Sequence, residues 1–354
     1  MSWKLQPLPY TGEFETKAVL RQMVAAHRAL AELKGVAQSI PRQEILINTL
    51  SLKEAKDSSA VENIVTTHDE MYKSTLQTEA MLQPAAKEVR NYATALAEGF
   101  ERVKQKGIIT SNDIKAIQAK LENNKAGFRK LPGTTLKNEA TGEVVYEPPQ
   151  HADAIEELMS NLERFINEPE MLDADPLVKM SIIHFQFESI HPFYDGNGRT
   201  GRIINTLYLV QQGLLHLPIL YLSRYIIQNK AQYYGGLQGI RQSGKWEEWL
   251  LYMGRAVEET AHHTISQIQE LKILMQELKH QLRNNYKFYS QDLLNHLFKH
   301  PYTKIEFLME ELNISRPTAG TYLNSLAADG LLTKEKQGKS NYYVNESLME
   351  LLKK

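Results

Sequence analysis

Apolar residues recur at steps of three and four along most of the chain, and this spacing is typical of amphipathic helices. One such stripe lies between residues 16 and 36, and its members are Leu20, Met23, Ala26, Leu30 and Leu33. A second stripe, nearer the C-terminus, consists of Ile265, Ile268, Leu271, Leu274, Leu278 and Leu282. Further helices are predicted over residues 88–105, 111–122, 151–167 and 176–189, and one that begins at Ser58 or Ser59. The pattern therefore predicts a mainly α-helical fold.

Two segments depart from this pattern. Residues 127–149 are rich in Gly, Thr and Val, with a Thr141-Gly142 turn signal and a Pro148-Pro149 stop, and they predict a short β-hairpin flap. Residues 203–223 contain no charged side chain and have about the length of a membrane span. Because Gly213 and Pro218 interrupt them, we expect a buried helix ending at Gly213 and no membrane span.

The C-terminal segment reads as a small separate domain. We place its boundary after residue 283, where the long apolar stripe ends. The pattern predicts helices over residues 291–299, 303–312 and 315–328, and strands over 331–334 and 340–344 around Gln337-Gly338-Lys339. Three short helices and a hairpin predict a winged helix-turn-helix over residues 284–354. Residues 283–354 carry ten basic and eight acidic side chains, so both DNA binding and a protein-contact or dimerisation role stay open.

Composition narrows the function classes. The 41 Lys and Arg residues almost balance the 42 Asp and Glu residues, so no global field draws the molecule to nucleic acid or an anionic membrane. The absence of cysteine excludes disulfides, thiolate metal sites and cysteine nucleophiles, and it favours a reducing compartment. The first residues lack the basic and apolar regions of a signal peptide. We therefore expect a cytoplasmic protein.

The densest chemical signal lies between two predicted helices, at residues 191–202, which read HPFYDGNGRTGR. Pro192 disfavours a helical backbone at His191, so the preceding helix should end there. Gly196 and Gly198 permit a turn whose N–H groups point into one hollow, and the next helix adds its free amides. Arg199 and Arg202 are three residues apart and so share one face of that helix. The segment predicts an anion site suited to a polyphosphate.

The same segment offers a base and a metal ligand. His191 has an ordinary pKa of about 6.5 and can accept a proton near neutral pH. Asp195 would repel a bare phosphate, so its position suggests a Mg²⁺ ion that bridges carboxylate and phosphate oxygens. Together these groups predict phosphoryl or nucleotidyl transfer to a hydroxyl.

Residues 191–202 resemble the signature of the Fic (filamentation induced by cAMP) family, His-Pro-Phe-x-x-Gly-Asn-Gly-Arg-x-x-Arg, at every specified position. The resemblance implies a Fic-type helical core and AMPylation, the transfer of AMP from ATP to a Ser, Thr or Tyr hydroxyl of a protein. It implies that His191 is the base and Asp195 the Mg²⁺ ligand. The residues that it implies for ATP binding are Gly196, Asn197, Gly198, Arg199, Thr200, Gly201, Arg202, Tyr233 and Tyr234. Related proteins often have Asn where this chain has Arg241, which leaves the nucleotide preference open.

Residues 58–63, SSAVEN, admit two compatible interpretations. Ser59 and Glu62 have the spacing of a capping box, which only starts a helix. Ser58, Glu62 and Asn63 also match the inhibitory motif of the Fic family, Ser/Thr-x-x-x-Glu-Gly/Asn. The resemblance then implies that Glu62 pairs with Arg202 and fills the space of the γ-phosphate.

The sequence thus predicts a self-inhibited protein adenylyltransferase, with an N-terminal extension over residues 1–110 and a catalytic core over 111–283. Its partners would be ATP and an unidentified target protein, with modification of itself and a homodimer as further expectations. Two alternatives stay open: an ATP-sensing DNA-binding regulator, and transfer or removal of a different group such as UMP or phosphocholine.

Overall fold

The computed structural model describes residues 3–74, 82–138, 141–337 and 340–353. Within these residues most of the chain is helical. The helices are α1 (Lys17–Ala37), α2 (Gln43–Val61), α3 (His68–Ser74), α4 (Pro84–Lys106), α5 (Ser111–Leu121), α6 (Ala152–Asn167), α7 (Pro176–Ile190), α8 (Asn197–Gln211), α9 (Leu222–Gln228), α10 (Lys230–Ser243), α11 (Trp246–Asn285), α12 (Gln291–Lys299), α13 (Ile305–Leu312), α14 (Arg316–Ala328) and α15 (Glu346–Lys353). The strands are β1 (Leu136–Lys137), β2 (Val144–Tyr146), β3 (Tyr302–Thr303), β4 (Thr333–Gln337) and β5 (Ser340–Val344). The predicted mainly α-helical fold is confirmed.

Local signals account for several helix ends. The Thr16 side chain accepts a hydrogen bond from the Val19 N–H and starts α1. Thr110 and Asp113 form a reciprocal capping box at the start of α5. Helix α8 ends at Gln211, and Gly213 follows with a φ of 66°, so the buried helix predicted to end there is confirmed. No helix among the described residues is long and apolar enough to cross a membrane.

The helix predicted to begin at Ser58 or Ser59 is wrong, because α2 ends there. Asn63 has a φ of 61°, its N–H donates to the Ala60 carbonyl, and the Ile64 N–H donates to the Ser59 carbonyl. These two bonds form a Schellman motif, which terminates a helix. Twelve of the nineteen α2 residues are buried, so the helix has no single apolar stripe that would reveal it in the sequence. The capping-box interpretation of Ser59 and Glu62 is therefore also wrong.

Helix α7 lies at the centre of the fold. Every residue from Leu177 to Ile190 is buried, and the helix packs against α6, α8 and α11. The N-terminal helix α1 packs along α11, where Gly254 lies against Gln22 and Met23. These contacts fix the end of α7 and the start of α8, between which residues 191–196 lie.

The predicted flap is a short antiparallel hairpin in which Leu136 of β1 pairs with Tyr146 of β2. Gly142 provides the positive φ of its turn, while residues 139–140 lie outside the described residues. In the C-terminal segment, α12 and β5 have the predicted bounds, and α13, α14 and β4 confirm the remaining helices and hairpin. The predicted turn residues Gly338 and Lys339 lie outside the described residues. Strand β3 completes a three-stranded sheet in the order β3-β5-β4, and the sequence analysis missed both β3 and α15.

Candidate active site

Residues 191–196 join α7 to α8, and together with the first two residues of α8 we call them the 191–198 loop. The loop reverses the chain through two left-handed residues. His191 ends α7 with φ 48° and ψ 59°, in keeping with the restriction that Pro192 imposes. Gly196 precedes α8 with a φ of 78°. A Cβ atom on Gly196 would lie 2.4 Å from the Glu122 Oε1 atom, so the position requires glycine on both counts. This turn joins His191, at the end of α7, to the first amides of α8 through five intervening residues.

Internal hydrogen bonds close this loop. The Asn197 side chain accepts from the Phe193 N–H at 2.8 Å and donates to the Phe193 carbonyl at 2.9 Å. Phe193 is fully buried and packs against Phe128 and Phe187, with ring centroids 5.3 and 6.4 Å apart. Phe193 therefore anchors the loop in the apolar core. The side-chain amide of Asn197 is used inside the loop, so only its backbone can face a ligand.

Arg129, which the sequence analysis missed, holds the loop from behind. Its Nε donates to the His191 carbonyl at 2.8 Å, and its Nη2 donates to the Pro149 carbonyl at the end of the flap. Its backbone N–H donates to the Pro192 carbonyl at 2.8 Å. The side chain is completely buried. No local pattern signals this role, because the partners are backbone atoms 20 and 62 residues away in the sequence.

The electrostatic surroundings of His191 favour the neutral imidazole. Burial, followed by the nearby Arg129 guanidinium, lowers the pKa of His191 to about 4. Near neutral pH the ring is therefore uncharged and carries a free lone pair. This is the protonation state that a general base requires.

Arg202 is held by the end of α2. Its Nη2 lies 2.9 Å from the Glu62 Oε1 atom, and its Nε donates to Ser58 Oγ at 2.8 Å. Its Nη2 also donates to the Ser58 carbonyl at 2.9 Å. A Cβ atom on Gly198 would lie 2.4 Å from the same Glu62 oxygen, so this carboxylate lies directly over the start of α8. The structure thus brings Ser58, Glu62, Gly198 and Arg202 together.

Both side chains of the Glu62–Arg202 pair are held in their charged forms. The Arg202 side chain is 1% exposed, whereas the Glu62 side chain is 35% exposed. Burial opposes ionisation of Glu62, but the Arg202 guanidinium outweighs it and holds the pKa of the carboxyl below its ordinary value. Asn63 provides the left-handed residue after the helix, and its Oδ1 accepts from Lys230 Nζ at 3.3 Å.

A buried carboxyl group lies one helical turn before Ser58. Glu54 accepts hydrogen bonds from the Tyr92 hydroxyl at 3.0 Å and from the Ser223 hydroxyl. Burial raises its pKa to about 8. Glu54 is therefore mostly protonated near neutral pH, which leaves Glu62 as the charged partner of Arg202 from this helix.

Arg199 is also paired with carboxylates. Its Nη1 contacts Glu88 on α4, and its Nη2 lies 2.8 Å from the Glu122 Oε1 atom just after α5. Burial raises the pKa of Glu122 to about 7 although Arg199 opposes this shift. Glu88 and Glu122 were not predicted from the sequence, because neither lies in a motif and only the fold brings them to Arg199.

Asp195 differs from these buried acids because its side chain is 77% exposed. Its Oδ1 accepts from the Gly196 N–H at 2.7 Å, and its other oxygen is left for a ligand from solvent. An exposed carboxylate oxygen beside a helix N-terminus has the chemistry that Mg²⁺ prefers, so the predicted ligand fits the ion.

The other predicted ATP-binding residues fall into two groups. Thr200 and Gly201 are buried, and a Cβ atom on Gly201 would lie 2.6 Å from Glu188 Oε1, so close packing against α7 accounts for this glycine. Tyr233 is 2% exposed and its hydroxyl is 2.8 Å from His184 Nε2, whereas Tyr234 is 46% exposed. Tyr234 is therefore the more exposed tyrosine of this pair.

Arg241, at the position that left the nucleotide preference open, lies beneath the flap. Its guanidinium stacks 4.0 Å from the centre of the Tyr146 ring. Its Nη2 donates to Ser189 Oγ at 3.1 Å. The side chain is buried and therefore ties β2 to the end of α7.

Three family models match this chain. Residues 20–101 match the Fic/DOC family N-terminal model, residues 108–209 match the Fic/DOC family model, and residues 274–348 match the C-terminal domain of SoFic-like protein adenylyltransferases. The chain belongs to the Fic/DOC family. A probable protein adenylyltransferase of Aquifex aeolicus is 31% identical over 116 residues, or 32% of this Fic chain and 34% of that protein. The protein adenylyltransferase fic-1 of Caenorhabditis elegans is 25% identical over 119 residues, 33% of this chain and 22% of its own.

This Fic chain thus aligns with about a fifth to a third of the length of these relatives. Solved structures support the fold over a longer span. A Fic family protein from Desulfovibrio desulfuricans superposes with a TM-score of 0.61 at 23% identity, over 96% of this chain and 98% of that one. Fic-1 of Caenorhabditis elegans gives a TM-score of 0.53 at 18% identity, over 71% and 74% of the two chains. The Fic fold therefore extends through nearly the whole chain.

Proposed function

We propose that this Fic protein transfers AMP from ATP to a hydroxyl group of a protein and that Glu62 restrains the reaction. The observation that carries the proposal is the position of the Glu62 carboxylate, which covers Gly198 and pairs with Arg202 beside a neutral His191. A carboxylate occupies the anion site that the start of α8 forms. The names of the relatives, protein adenylyltransferases, support the same reaction.

The proposed reaction balances with the groups of this chain. The hydroxyl oxygen of the target attacks the α-phosphorus of ATP, and its proton passes to the His191 imidazole. The bond between the α-phosphorus and the pyrophosphate oxygen breaks, and pyrophosphate leaves. The amides at the start of α8, together with Arg199 and Arg202, would stabilise the negative charge on the phosphates. The hydrogen bonds from Arg129 and Asn197 keep His191 and these amides at fixed relative positions.

Asp195 would hold the Mg²⁺ ion. The ion would neutralise phosphate charge when the nucleotide is bound. Asp195 is exposed enough to receive it without disturbing the packing of the loop.

ATP and Glu62 would compete for Arg202. A triphosphate that binds Arg202 has to displace the Glu62 carboxylate, and the nucleotide otherwise binds in a pose that is unsuited to attack. Arg199 would likewise exchange Glu88 and Glu122 for phosphate oxygens. The free energy of both exchanges limits transfer in the wild-type protein.

The substitution Glu62→Gly tests the proposal directly. It removes the carboxylate and frees Arg202, so we expect AMP transfer, including self-modification, to rise about tenfold or more. The assay follows covalent label from ATP labelled at the α-phosphate together with pyrophosphate release. Glu62→Gln is the matched control for side-chain size, and Glu62→Gly combined with His191→Ala should lose all transfer.

The same assay separates the alternatives. Equal transfer by wild-type and Glu62→Gly protein would refute the restraint by Glu62. Binding of ATP without pyrophosphate release in both proteins would refute the enzyme and favour an ATP sensor. Parallel reactions with labelled UTP and CDP-choline identify the transferred group. Four expectations stay predictions: the domain limits at residues 110 and 283, the homodimer, DNA binding by the winged helix, and the cytoplasmic location.

A further inference from the structure

Two histidines and a glutamate converge in the C-terminal domain, far from the 191–198 loop in the sequence. His296 lies on α12, His300 follows the helix directly, and Glu311 lies on α13. The His296 Nδ1 atom contacts the Glu311 Oε2 atom, and His300 Nε2 lies 3.3 Å from the same oxygen. Among the described residues, this is the one group of three His or acidic side chains close enough to share a metal ion.

The spacing of these atoms suits a tetrahedral ion. Metal–ligand bonds of about 2.0–2.2 Å place neighbouring ligand atoms about 3.3–3.5 Å apart. The distance between His300 Nε2 and Glu311 Oε2 already has this value, whereas the direct contact between His296 and Glu311 has to lengthen before an ion can lie between them. Histidines four residues apart present their rings on the same side of a helix, as zinc-binding helices do.

The surrounding groups hold the three ligands in a suitable state. His296 Nε2 lies 2.6 Å from the Thr303 hydroxyl, which fixes the ring and leaves Nδ1 facing Glu311. Lys299 Nζ binds the Glu311 Oε1 atom at 2.9 Å, so Oε2 is left for the cluster.

The ammonium group that contacts the cluster is itself paired with carboxylates. Lys299 Nζ contacts Glu311 and Glu44, the latter at 3.2 Å, so its positive charge is compensated. His300 and Lys299 line an open cavity of about 350 Å³ between α2, α4 and the C-terminal domain, which gives an ion a path from solvent.

We propose that His296, His300 and Glu311 bind a divalent transition-metal ion, with zinc as the expected occupant. Two imidazole nitrogens and one carboxylate oxygen match the preference of zinc, cobalt and nickel, and they do not match that of Mg²⁺ or Ca²⁺. Water would provide the fourth ligand. The site is independent of the nucleotide chemistry proposed for the 191–198 loop.

Zinc binding by the full chain tests the site. Tag-free protein is stripped with a chelator and titrated with zinc against a chromophoric competitor, and we expect one ion per chain with a dissociation constant of about 1 µM or lower. Cobalt should produce visible absorption bands of a tetrahedral site. Zinc should also raise the melting temperature, because it binds the folded state.

Variants locate the ligands. His300→Ala and Glu311→Gln should each weaken zinc binding by about tenfold or more and remove the cobalt bands. His280→Ala, on the exposed face of α11, is the matched control and should bind like the wild type. Equal affinity in wild-type and His300→Ala protein, or the absence of stoichiometric binding by the stripped wild type, would overturn the proposal in favour of a hydrogen-bonded cluster without metal.

Discussion

Arg129 joins its own segment to two others that are distant in the sequence. Its hydrogen bonds to the carbonyl groups of His191 and Pro149 join the 191–198 loop to the end of the flap. Loss of this side chain would leave the buried carbonyl groups without their donors, which costs stability.

We therefore expect Arg129→Ala, in the activated Glu62→Gly background, to reduce the rate constant of AMP transfer by about 100-fold, because a small displacement of the reacting groups has an effect of this size. The KM for ATP should change much less, since Arg129 does not face the phosphates. Steady-state kinetics at several ATP concentrations measure both values. Lys130→Ala, at the exposed neighbouring residue, is the control. Equal losses in the two variants would contradict a positioning role.

The sequence contained the chemistry of the loop but not its surroundings. His191, Asp195 and the two arginines lie within twelve residues, so their roles can be predicted from local spacing. The partners of the arginines come from α2, α4 and the end of α5, and no local pattern reports which distant carboxylate meets which guanidinium. Glu62 was found through a resemblance to a family motif, and its position at the end of a helix was predicted wrongly.

Helix α8 meets α4 and α5 at a point where an added methyl group would force neighbouring side chains to move. A Cβ atom on Gly99 of α4 would lie 2.7 Å from Leu207 Cδ1 and 2.9 Å from Ile117 Cδ1. We expect Gly99→Ala to lower the free energy of unfolding by about 1–2 kcal/mol, because the overpacking exceeds the gain in helix propensity. Urea unfolding followed by circular dichroism measures the change.

Gly239 provides the matched comparison for this prediction. It lies inside α10, and nothing is within 4 Å of the position where its Cβ atom would be. Gly239→Ala should raise the free energy of unfolding by about 0.5–1 kcal/mol through helix propensity alone. A stabilising effect in both variants would show that the contact between α4 and α8 is looser than described.

The number of buried faces of a helix decides whether its sequence pattern predicts it. Helix α1 has one face in solvent, so its apolar stripe between residues 16 and 36 predicts a helix that agrees closely with the observed Lys17–Ala37. Helix α2 is buried on most sides, so its apolar residues do not form a single stripe. Ser59 and Asn63 are residue types that can cap a helix at its start or at its end. The buried helical residues that precede them show that they lie at the end of α2.

The C-terminal domain is joined to the rest of the molecule by charge and by apolar packing. Ion pairs link Arg42 to Asp292 at 2.7 Å and Lys299 to Glu44 at 3.2 Å. Exposed pairs of this kind contribute about 0–1 kcal/mol each and weaken in salt. The apolar core, however, runs without interruption from α2 into α12, through residues such as Leu50 and Leu293.

This continuity predicts a single cooperative unfolding transition of the full chain. Differential scanning calorimetry should give one peak at low salt and at about 0.5 M NaCl, since screening removes the ion pairs but leaves the apolar packing. The calorimetric and van't Hoff enthalpies should agree. Two separate peaks at high salt would mean that charge alone holds the C-terminal domain in place.

The enclosure of α2 limits how an activator can work. The helix contacts α4, α8, α9, α12 and α15, so it cannot roll or slide without opening voids in a close-packed interior. Its tip is different, because Glu62 reaches solvent and Asn63 is exposed. A partner with a small footprint could swing one acidic side chain aside at this tip and leave the whole scaffold unmoved.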